Sequence, residues 1–458
     1  MVSFLFYDII FLVLFTLSVV FFLYKRRKKI RREGIVFIYP TKVGIKLMDY
    51  ISQKYSRVLG FFKYVVISSG FILMGIMLYL IGQTVYIYII TPQIIEVIKA
   101  PPIAPLIPYF PKLFGLESYF PDFYFIYFLV ALAIVAVSHE FSHGIYMRLY
   151  NVRIKSTGFA FLGPFLGAFV EQDDKQMNKI EKSKQMAILG AGVFANLLIT
   201  ILFYLIFVGF FYISFSPSGY IFNSYSYAVI NSSEISEMRA YGNLTELISG
   251  NSSYFLDDTL RQQLSLNQTL LLVYDDSPAL RAELKGIIVQ INDVKIKNQE
   301  SLSSFLMNTS PGDNISVVTL IDDEKNTFNI TLGKHPLNNS NSYLGISALS
   351  PVRRSFTQNF IYFFMQFRDS STYYYPSFNP DLVYFIYYLL FWIILINLLV
   401  ALFNMLPLGI LDGGRFFYLA VHSVTKSERA AKLFYKVLSS ILFAGFILMM
   451  IIWVLRVF

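Results

Sequence analysis

Six long apolar segments constrain this chain more than any other feature of its sequence. They cover approximately residues 3–24, 62–92, 120–142, 186–215, 382–404 and 434–457. A helix needs about 20 apolar residues to cross the roughly 30 Å hydrocarbon core of a bilayer, and each segment reaches that length. With 55% hydrophobic and 15% charged residues, the chain carries more apolar surface than a water-soluble domain buries. The sequence therefore predicts an α-helical polytopic membrane protein with about six transmembrane helices.

The first apolar segment lies where a signal peptide would lie, but its composition differs from one. No basic residue precedes it and no small-residue cleavage pattern follows it, so we interpret it as a retained anchor. The basic run 25–29 follows directly, and short loops rich in Lys and Arg stay on the cytoplasmic side. Counting spans from there predicts a multi-pass protein of the cell membrane, with the N-terminus and residues 216–381 outside and residues 148–184 inside.

The net charge of +9 is concentrated in these basic segments beside the spans. Basic clusters next to a membrane favour contact with anionic lipid headgroups, so we expect the lipid bilayer, and not a nucleic acid, as the partner. The chain contains no cysteine. Disulfides are therefore excluded, and a metal ion would have to be held by His, Asp or Glu.

Residues 216–381 form the one sizeable polar region of the sequence. It contains eight Asn-x-Ser/Thr triplets, which begin at Asn231, Asn243, Asn251, Asn267, Asn308, Asn314, Asn329 and Asn338. We find no such triplet elsewhere in the chain. Glycosylation acceptors confined to one loop indicate that it lies outside the cell, although Asn-rich sequence also forms them by chance.

Within this polar region, residues 269–334 have the pattern of a small α/β module. We predict strands at 270–274, 287–291, 314–321 and 326–332, and helices at 277–284 and about 300–307. The run 277–294 resembles a PDZ domain in the permuted form of bacterial proteases. Such domains bind an extended peptide at a sheet edge. A small α/β domain without a peptide groove is the alternative, because fold alone does not give function.

The third apolar segment ends in the motif His-Glu-Phe-Ser-His at residues 139–143. His139 and His143 are four residues apart, so they lie on one face of a helix, as two zinc ligands require. Glu140 is next to the first histidine, where it can take a proton from a metal-activated water. An acidic residue inside a span costs roughly 2.5–3.5 kcal/mol, and such residues usually mark function. A proton relay in a transporter and a structural polar cluster are the alternatives.

The fifth apolar segment leads into a broken helix that contains Pro407 and the sequence Asp412-Gly413-Gly414. Broken helices at membrane depth occur where protein or a wet cavity surrounds the freed backbone groups. Asp412 at such a break can turn inward as a carboxylate ligand. An ordinary turn at a helix end is the alternative.

Together these motifs resemble the paired signature of site-2 proteases, a family of intramembrane zinc metalloproteases. The fourth segment adds the sequence Gly192-Val-Phe-Ala-Asn196, which is similar to the family's Gly-x-x-x-Asn pattern, although many members have Pro where this chain has Val193. The stretch Gly158–Glu171 is similar to the family's re-entrant β-rich loop, which offers an edge to an unwound substrate strand.

The resemblance implies a function and a set of site residues. His139, His143 and Asp412 would hold Zn²⁺, and Glu140 would activate water for hydrolysis of a peptide bond. Asn196 or Asn404 would donate a hydrogen bond to the developing oxyanion, although buried Asn residues also cap broken helices. The substrates would be transmembrane segments of other proteins, admitted by the PDZ-like domain after another protease has trimmed them.

We therefore divide the chain into four regions. They are the first two helices with the basic loop (1–119), a first membrane segment with the His-Glu motif and the β-rich loop (120–215), an extracytoplasmic region (216–381) with the PDZ-like module 269–334, and a second membrane segment (382–458). A non-catalytic receptor and a metal or proton transporter remain the competing functions. A receptor would not need Glu140, and a transporter would more naturally show internal repeats.

Overall fold

The computed structural model describes residues 4–99, 101–102, 106–250, 252–258, 260–261, 269–336, 338–347, 364 and 366–457. The chain divides into two compact units. The first consists of Met1–Phe210 with Tyr384–Phe458, and the second of Phe211–Val383. The helices lie at Phe4–Arg26 (α1), Ile45–Lys54 (α2), Ser56–Ile90 (α3), Gln93–Ile98 (α4), Phe110–Leu113 (α5), Phe125–Leu149 (α6), Asp174–Lys179 (α7), Lys182–Ser214 (α8), Pro278–Arg281 (α9), Gln299–Met307 (α10), Pro380–Asn404 (α11), Asp412–Thr425 (α12) and Glu428–Val457 (α13).

Among the described residues, six helices are long and apolar enough to cross a membrane, namely α1, α3, α6, α8, α11 and α13. Each coincides with one of the six predicted segments, so the predicted polytopic helical architecture is confirmed. The helix α3 has 35 residues, or about 52 Å at 1.5 Å per residue, which exceeds the thickness of a hydrocarbon core.

The first unit also contains a sheet of four antiparallel strands in the order β1-β2-β3-β4. The strands are Arg31–Glu33 (β1), Val36–Thr41 (β2), Ile154–Leu162 (β3) and Phe165–Gln172 (β4). The hairpin of β3 and β4 covers the stretch 158–171 expected to be β-rich, and Gly163, with a φ of 60°, supplies the left-handed turn between them. We did not predict β1 and β2, which extend this sheet from the loop after α1.

The helix α2 packs against the C-terminal half of α6. Arg148 of α6 and Asp49 of α2 form an ion pair across this contact. Gly144 of α6 lies against the Met48 side chain so closely that a Cβ atom would overlap it. The loop after α1 therefore contributes both a helix and two strands to the surroundings of α6.

The first residues of α6 are held by a carboxylate from a different helix. Asp8 of α1 is only 3% exposed. Its Oδ2 atom accepts hydrogen bonds of 2.6 Å from the Phe125 N–H and the Tyr109 hydroxyl, and its Oδ1 atom accepts one of 3.1 Å from the Ile126 N–H. The N-cap residue of α6, Tyr124, provides no side-chain cap. Asp8 therefore satisfies helix-start N–H groups that would otherwise lack partners.

The second unit is built mainly from strands. They are Phe215–Tyr220 (β5), Ser224–Tyr225 (β6), Tyr227–Asn231 (β7), Ile235–Tyr241 (β8), Leu244–Ser249 (β9), Ser252–Leu256 (β10), Leu270–Asp275 (β11), Ile287–Ile291 (β12), Val294–Lys295 (β13), Asn314–Ile321 (β14), Glu324–Thr331 (β15), Gly333–His335 (β16), Asn338–Tyr343 (β17), Ile346–Ser347 (β18) and Thr372–Pro376 (β19). One sheet has the order β15-β14-β12-β5-β19 with β13 beside β12, a second has the order β7-β11-β10-β9-β8, and β16-β17 and β6-β18 form short pairs.

The predicted strands and helices of residues 269–334 form, although the helix predicted at 277–284 covers only Pro278–Arg281. The pairing of the strands differs from that of one compact module. The strand β11 pairs with β7 and β10. The strand β12 pairs with β14 and with β5, which lies far from it along the chain. The cores differ accordingly. Leu271 and Val273 of β11 pack in the cluster of the five-stranded sheet, and Ile288 and Val317 pack in that of the other sheet. Residues 269–275 therefore belong to a separate meander that the sequence did not reveal.

Candidate metal centre

The two histidines of α6 meet on one buried face of the helix. His139 and His143 are each 6% exposed, and their Nε2 atoms lie 3.0 Å apart. The spacing of four residues causes this proximity, because one helical turn brings such side chains one above the other. The residues that precede His139 in α6 are mostly apolar, and α6 is one of the helices that can span a membrane. The pair therefore forms a two-nitrogen site inside the first unit.

Asp412 supplies a carboxylate oxygen to the same point. Helix α11 ends at Asn404, and a new helix, α12, begins at Asp412. The Oδ2 atom of Asp412 lies 3.1 Å from Nε2 of His139 and 3.2 Å from Nε2 of His143. Gly413 and Gly414 follow, and a Cβ atom at either would overlap the backbone of residues 405–408. The glycines thus let the chain fold back tightly enough to aim Asp412 at the histidines.

Each of these three residues offers one ligand atom, and the ligand atoms all lie within 4.8 Å of one another. Two imidazole nitrogens and one carboxylate oxygen form the donor set of a catalytic zinc site with one open position. The partial burial of the cluster also fits, because buried charged groups need a partner or a metal ion. The residues present are therefore suited to hold a divalent metal ion.

The far side of each imidazole ring contacts α8. Nδ1 of His143 lies 2.7 Å from the Ile188 carbonyl oxygen. Nδ1 of His139 lies 3.1 Å from the side-chain nitrogen of Asn196, whose amide oxygen accepts a hydrogen bond of 3.2 Å from Ser138. Asn196 itself is fully buried. Helix α8 therefore provides the outer contacts that orient both rings.

Gly192 of α8 lies directly against the two imidazoles. A Cβ atom there would come within 2.5 Å of His143 Nε2 and within 2.7 Å of His139 Nε2. A glycine is therefore needed for the close approach of α8 to the metal-binding atoms. The Val193 that follows, where many site-2 proteases have Pro, is fully buried and lies within the uninterrupted helix.

Glu140 points toward the four-stranded sheet. Its Oε2 atom accepts a hydrogen bond of 2.9 Å from the N–H of Val170 in β4. The strand β4 is the last of its sheet, and among the described residues it pairs with β3 alone. The carboxylate next to the first ligand is thus tied to a sheet edge. We did not predict Val170 as a site residue, since only the folded hairpin brings its N–H to Glu140.

Asn404 is the predicted site residue that the structure does not connect to the cluster. It is the half-buried last residue of α11, and no hydrogen bond joins its side chain to His139, His143 or Asp412 in the described part of the chain.

Arg415, one turn after Asp412, was not predicted either. Its guanidinium donates to the amide oxygens of Asn178 at 2.8 Å and Gln185 at 3.3 Å. These contacts link α12 to α7 and α8. Only the folded structure brings Asn178 and Gln185 to Arg415, so no local pattern marked it.

Comparison with known proteins agrees with this geometry. The sequence model of peptidase family M50 matches residues 127–445, more than half of the chain, and this range contains all three candidate ligands. An uncharacterized protein of Methanocaldococcus jannaschii is 40% identical over 72 residues, which are 16% of this chain and 20% of that protein. The match thus spans about a fifth of that relative's length. The family match, the membrane helices and the His139-His143-Asp412 cluster lead to one assignment: this chain belongs to peptidase family M50, the site-2 protease family.

Proposed function

We propose that this protein is a zinc-dependent intramembrane protease that hydrolyses peptide bonds in transmembrane segments of other membrane proteins. The observation that carries the proposal is the convergence of His139, His143 and Asp412, with Glu140 beside them, within the unit that contains the membrane helices. Membership of a metallopeptidase family supports the same reaction class. Zinc is the proposed ion because it favours imidazole and carboxylate ligands in a four-coordinate site.

In this mechanism the ion, when bound, supplies Lewis-acid polarisation of the substrate carbonyl. Glu140 takes a proton from the attacking water and delivers it to the leaving amine, so that the carboxylate is regenerated at the end of the cycle. The Val170 N–H holds one of its oxygens, which leaves the other free to exchange the proton. Asn404 is the proposed donor to the oxyanion, because the amide of the other candidate, Asn196, is engaged with Ser138 and His139. Such a donor is worth about 2.7–4 kcal/mol.

The substrate would bind as an unwound strand along the edge of β4. Leu162 pairs with Phe165 across the two-residue turn, so the backbone groups of Leu166, Ala168 and Val170 face away from β3. The hydrogen bond from Val170 to Glu140 agrees with this alternation. Leu166 and Ala168 are thus the proposed pairing positions for the substrate backbone, and the strand leads from them toward Glu140.

We also propose that residues 216–381 lie outside the cell and restrict substrates to those already trimmed by another protease, as in regulated intramembrane proteolysis. Two contacts support the order of membrane crossings from which this orientation was deduced. The loop after α1 and the loop after α6 share one sheet, as loops on the same side of the membrane can. The segment after α3 and the end of α13 also meet, through an ion pair between Glu96 and Arg456.

The deciding experiment compares purified wild-type protein with Glu140→Gln on a model transmembrane substrate, with bound zinc measured in both. We expect both proteins to bind one zinc ion and only the wild type to cleave. Zinc without cleavage by either protein, across several substrates, would indicate a non-catalytic receptor. A wild type that binds no zinc but carries ions or protons across vesicles would indicate a transporter.

A second experiment tests the proposed size restriction with the wild type alone. Two substrates share one transmembrane segment, but one carries a short outer tail and the other a folded outer domain. We expect rapid cleavage of the short substrate and little of the long one. Equal rates for the two would refute the proposed filter and leave the zinc protease assignment intact.

A further inference from the structure

We propose that Asn196 is a positioning residue that sets the orientation and the tautomer of the His139 ring through its amide oxygen, and that it does not contact the substrate. The inference rests on the proposed metal site and concerns a residue beyond its three ligands. Asn196 is 0% exposed, and its amide lies between Ser138 and His139. Both of these partners belong to α6, so the side chain links α8 to the helix that carries the two histidines.

One nitrogen of the His139 ring faces the cluster. Nε2 lies 3.1 Å from the Asp412 carboxylate and 3.0 Å from His143 Nε2, so it is the atom that would bind the metal. A ligand nitrogen must offer a lone pair and cannot carry a proton. A neutral imidazole carries its single proton on the other nitrogen, Nδ1. That N–H group then needs a hydrogen-bond acceptor.

The group that faces Nδ1 is the amide of Asn196, 3.1 Å away. The two ends of an amide have nearly the same size and shape, so either end can lie toward the ring. With the amide nitrogen toward Nδ1, the proton of His139 must be on Nε2, which then cannot bind a metal. With the amide oxygen toward Nδ1, the proton is held on Nδ1 and the lone pair of Nε2 faces Asp412. Metal binding therefore requires the second orientation.

The rest of the hydrogen-bond chain supports this orientation. The amide nitrogen of Asn196 would then donate to the Ser138 hydroxyl, and that hydroxyl also lies 2.8 Å from the Ile134 carbonyl, to which it donates. His139 Nδ1–H, the Asn196 amide nitrogen and the Ser138 hydroxyl would then each donate to an acceptor in the series. The opposite orientation with a proton on Nδ1 would place two donors face to face, and an unsatisfied buried donor costs about 1–3 kcal/mol.

The two histidines differ in how they are held. Nδ1 of His143 faces the backbone carbonyl of Ile188, which can only accept, so its proton position is set by the main chain. The corresponding group for His139 is a side chain and is therefore open to mutation. An outer partner of this kind typically contributes 10- to 100-fold to metal affinity.

The test measures zinc affinity by competition with a chromogenic chelator, and turnover at saturating zinc, for three variants of the full-length protein. Asn196→Ala removes the acceptor, and we expect its zinc affinity to fall about 10- to 100-fold. Asn196→Asp keeps an acceptor oxygen but has no amide N–H, and we expect affinity within about tenfold of wild type together with substantial turnover. Ser138→Ala removes only the outer end of the hydrogen-bond chain, so we expect a smaller loss of affinity than for Asn196→Ala.

Two results would overturn the proposal. One is wild-type zinc affinity in Asn196→Ala. The other is an Asn196→Asp protein that binds zinc normally but does not turn over, as expected for a lost oxyanion donor. If Asn196→Asp does not fold, the affinity of Asn196→Ala still decides the question. A wild type that binds no zinc would instead refute the metal site itself, so the two failures are distinguishable.

Discussion

The carboxylate of Glu140 and the backbone N–H of Val170 form a hydrogen bond of 2.9 Å that joins α6 to the edge of β4. The sheet edge proposed to pair with substrate is therefore the same edge that holds the proposed base. Binding and proton transfer would be aligned by a single strand. Because the outward backbone groups alternate along β4, the two roles fall on different residues and can be separated by mutation.

Replacing Val170 by proline removes the N–H that orients Glu140. We expect kcat to fall about 10- to 150-fold with little change in KM, because a hydrogen bond to a charged group is worth about 1.5–3 kcal/mol. The matched variant Leu166→Pro removes an outward N–H at the other end of β4, and we expect it to raise KM more than it lowers kcat. Proline is tolerated at both positions because their N–H groups do not pair with β3. Identical kinetic effects of the two variants would contradict separate roles.

Gly192→Ala tests whether α8 must approach the histidines this closely. The added Cβ would lie 2.5 Å from His143 Nε2, so the ring must move. Overpacking of this kind costs about 1–3 kcal/mol, which corresponds to a loss of zinc affinity of about 5- to 150-fold. Gly209→Ala in the same helix is the control, because a Cβ there meets nothing within 4 Å. We expect Gly209→Ala to bind zinc like the wild type, and equal losses in both variants would disprove the steric argument.

Removal of zinc should lower the thermal stability of the protein. The proposed ion joins His139 and His143 of α6 to Asp412 of α12, so it binds the folded state alone. Free zinc at 100 times its Kd should stabilise the fold by about 2.7 kcal/mol. We expect the melting temperature in detergent to fall on chelation and to return on addition of zinc. Asp412→Ala should show a much weaker response, and a response as large as that of the wild type would place the zinc elsewhere.

Asp8→Ala should destabilise the protein, because Asp8 of α1 caps the start of a different helix, α6. The change removes the acceptor of the Phe125 and Ile126 N–H groups, and loss of a helix cap costs about 0.5–2 kcal/mol. Asp8→Asn keeps one acceptor oxygen and should lose less stability. Ser18→Ala is the control, because Ser18 is exposed on the same helix and bonds only to its own turn. Thermal melting of the three variants checks this order, and a stable Asp8→Ala protein would contradict it.

The transmembrane helices and the metal-ligand motif could be predicted because both depend on local sequence. Apolar length determines which segments can span a bilayer, and all six predicted segments correspond to helices that meet this criterion within the described residues. The spacing of His139 and His143 likewise places them on one helical face without reference to the rest of the chain. The individual strands between residues 287 and 331 were also recognisable from local pattern, whereas the β-rich character of residues 158–171 was expected from the family resemblance alone.

Other features depended on contacts between distant parts of the chain. Ser138 to Asn196, Glu140 to Val170 and Asp8 to Phe125 are pairs separated by 58, 30 and 117 residues. The same holds for β11, whose strand partners β7 and β10 are set by pairing that its own apolar sequence does not specify. By itself, the sequence determined which segments can enter the membrane and which residues can bind a metal ion, because length and periodicity are local quantities. Only the tertiary structure decided which backbone group holds Glu140, which side chain orients His139 and which carboxylate caps α6, because hydrogen-bond partners across helices and strands are chosen by packing.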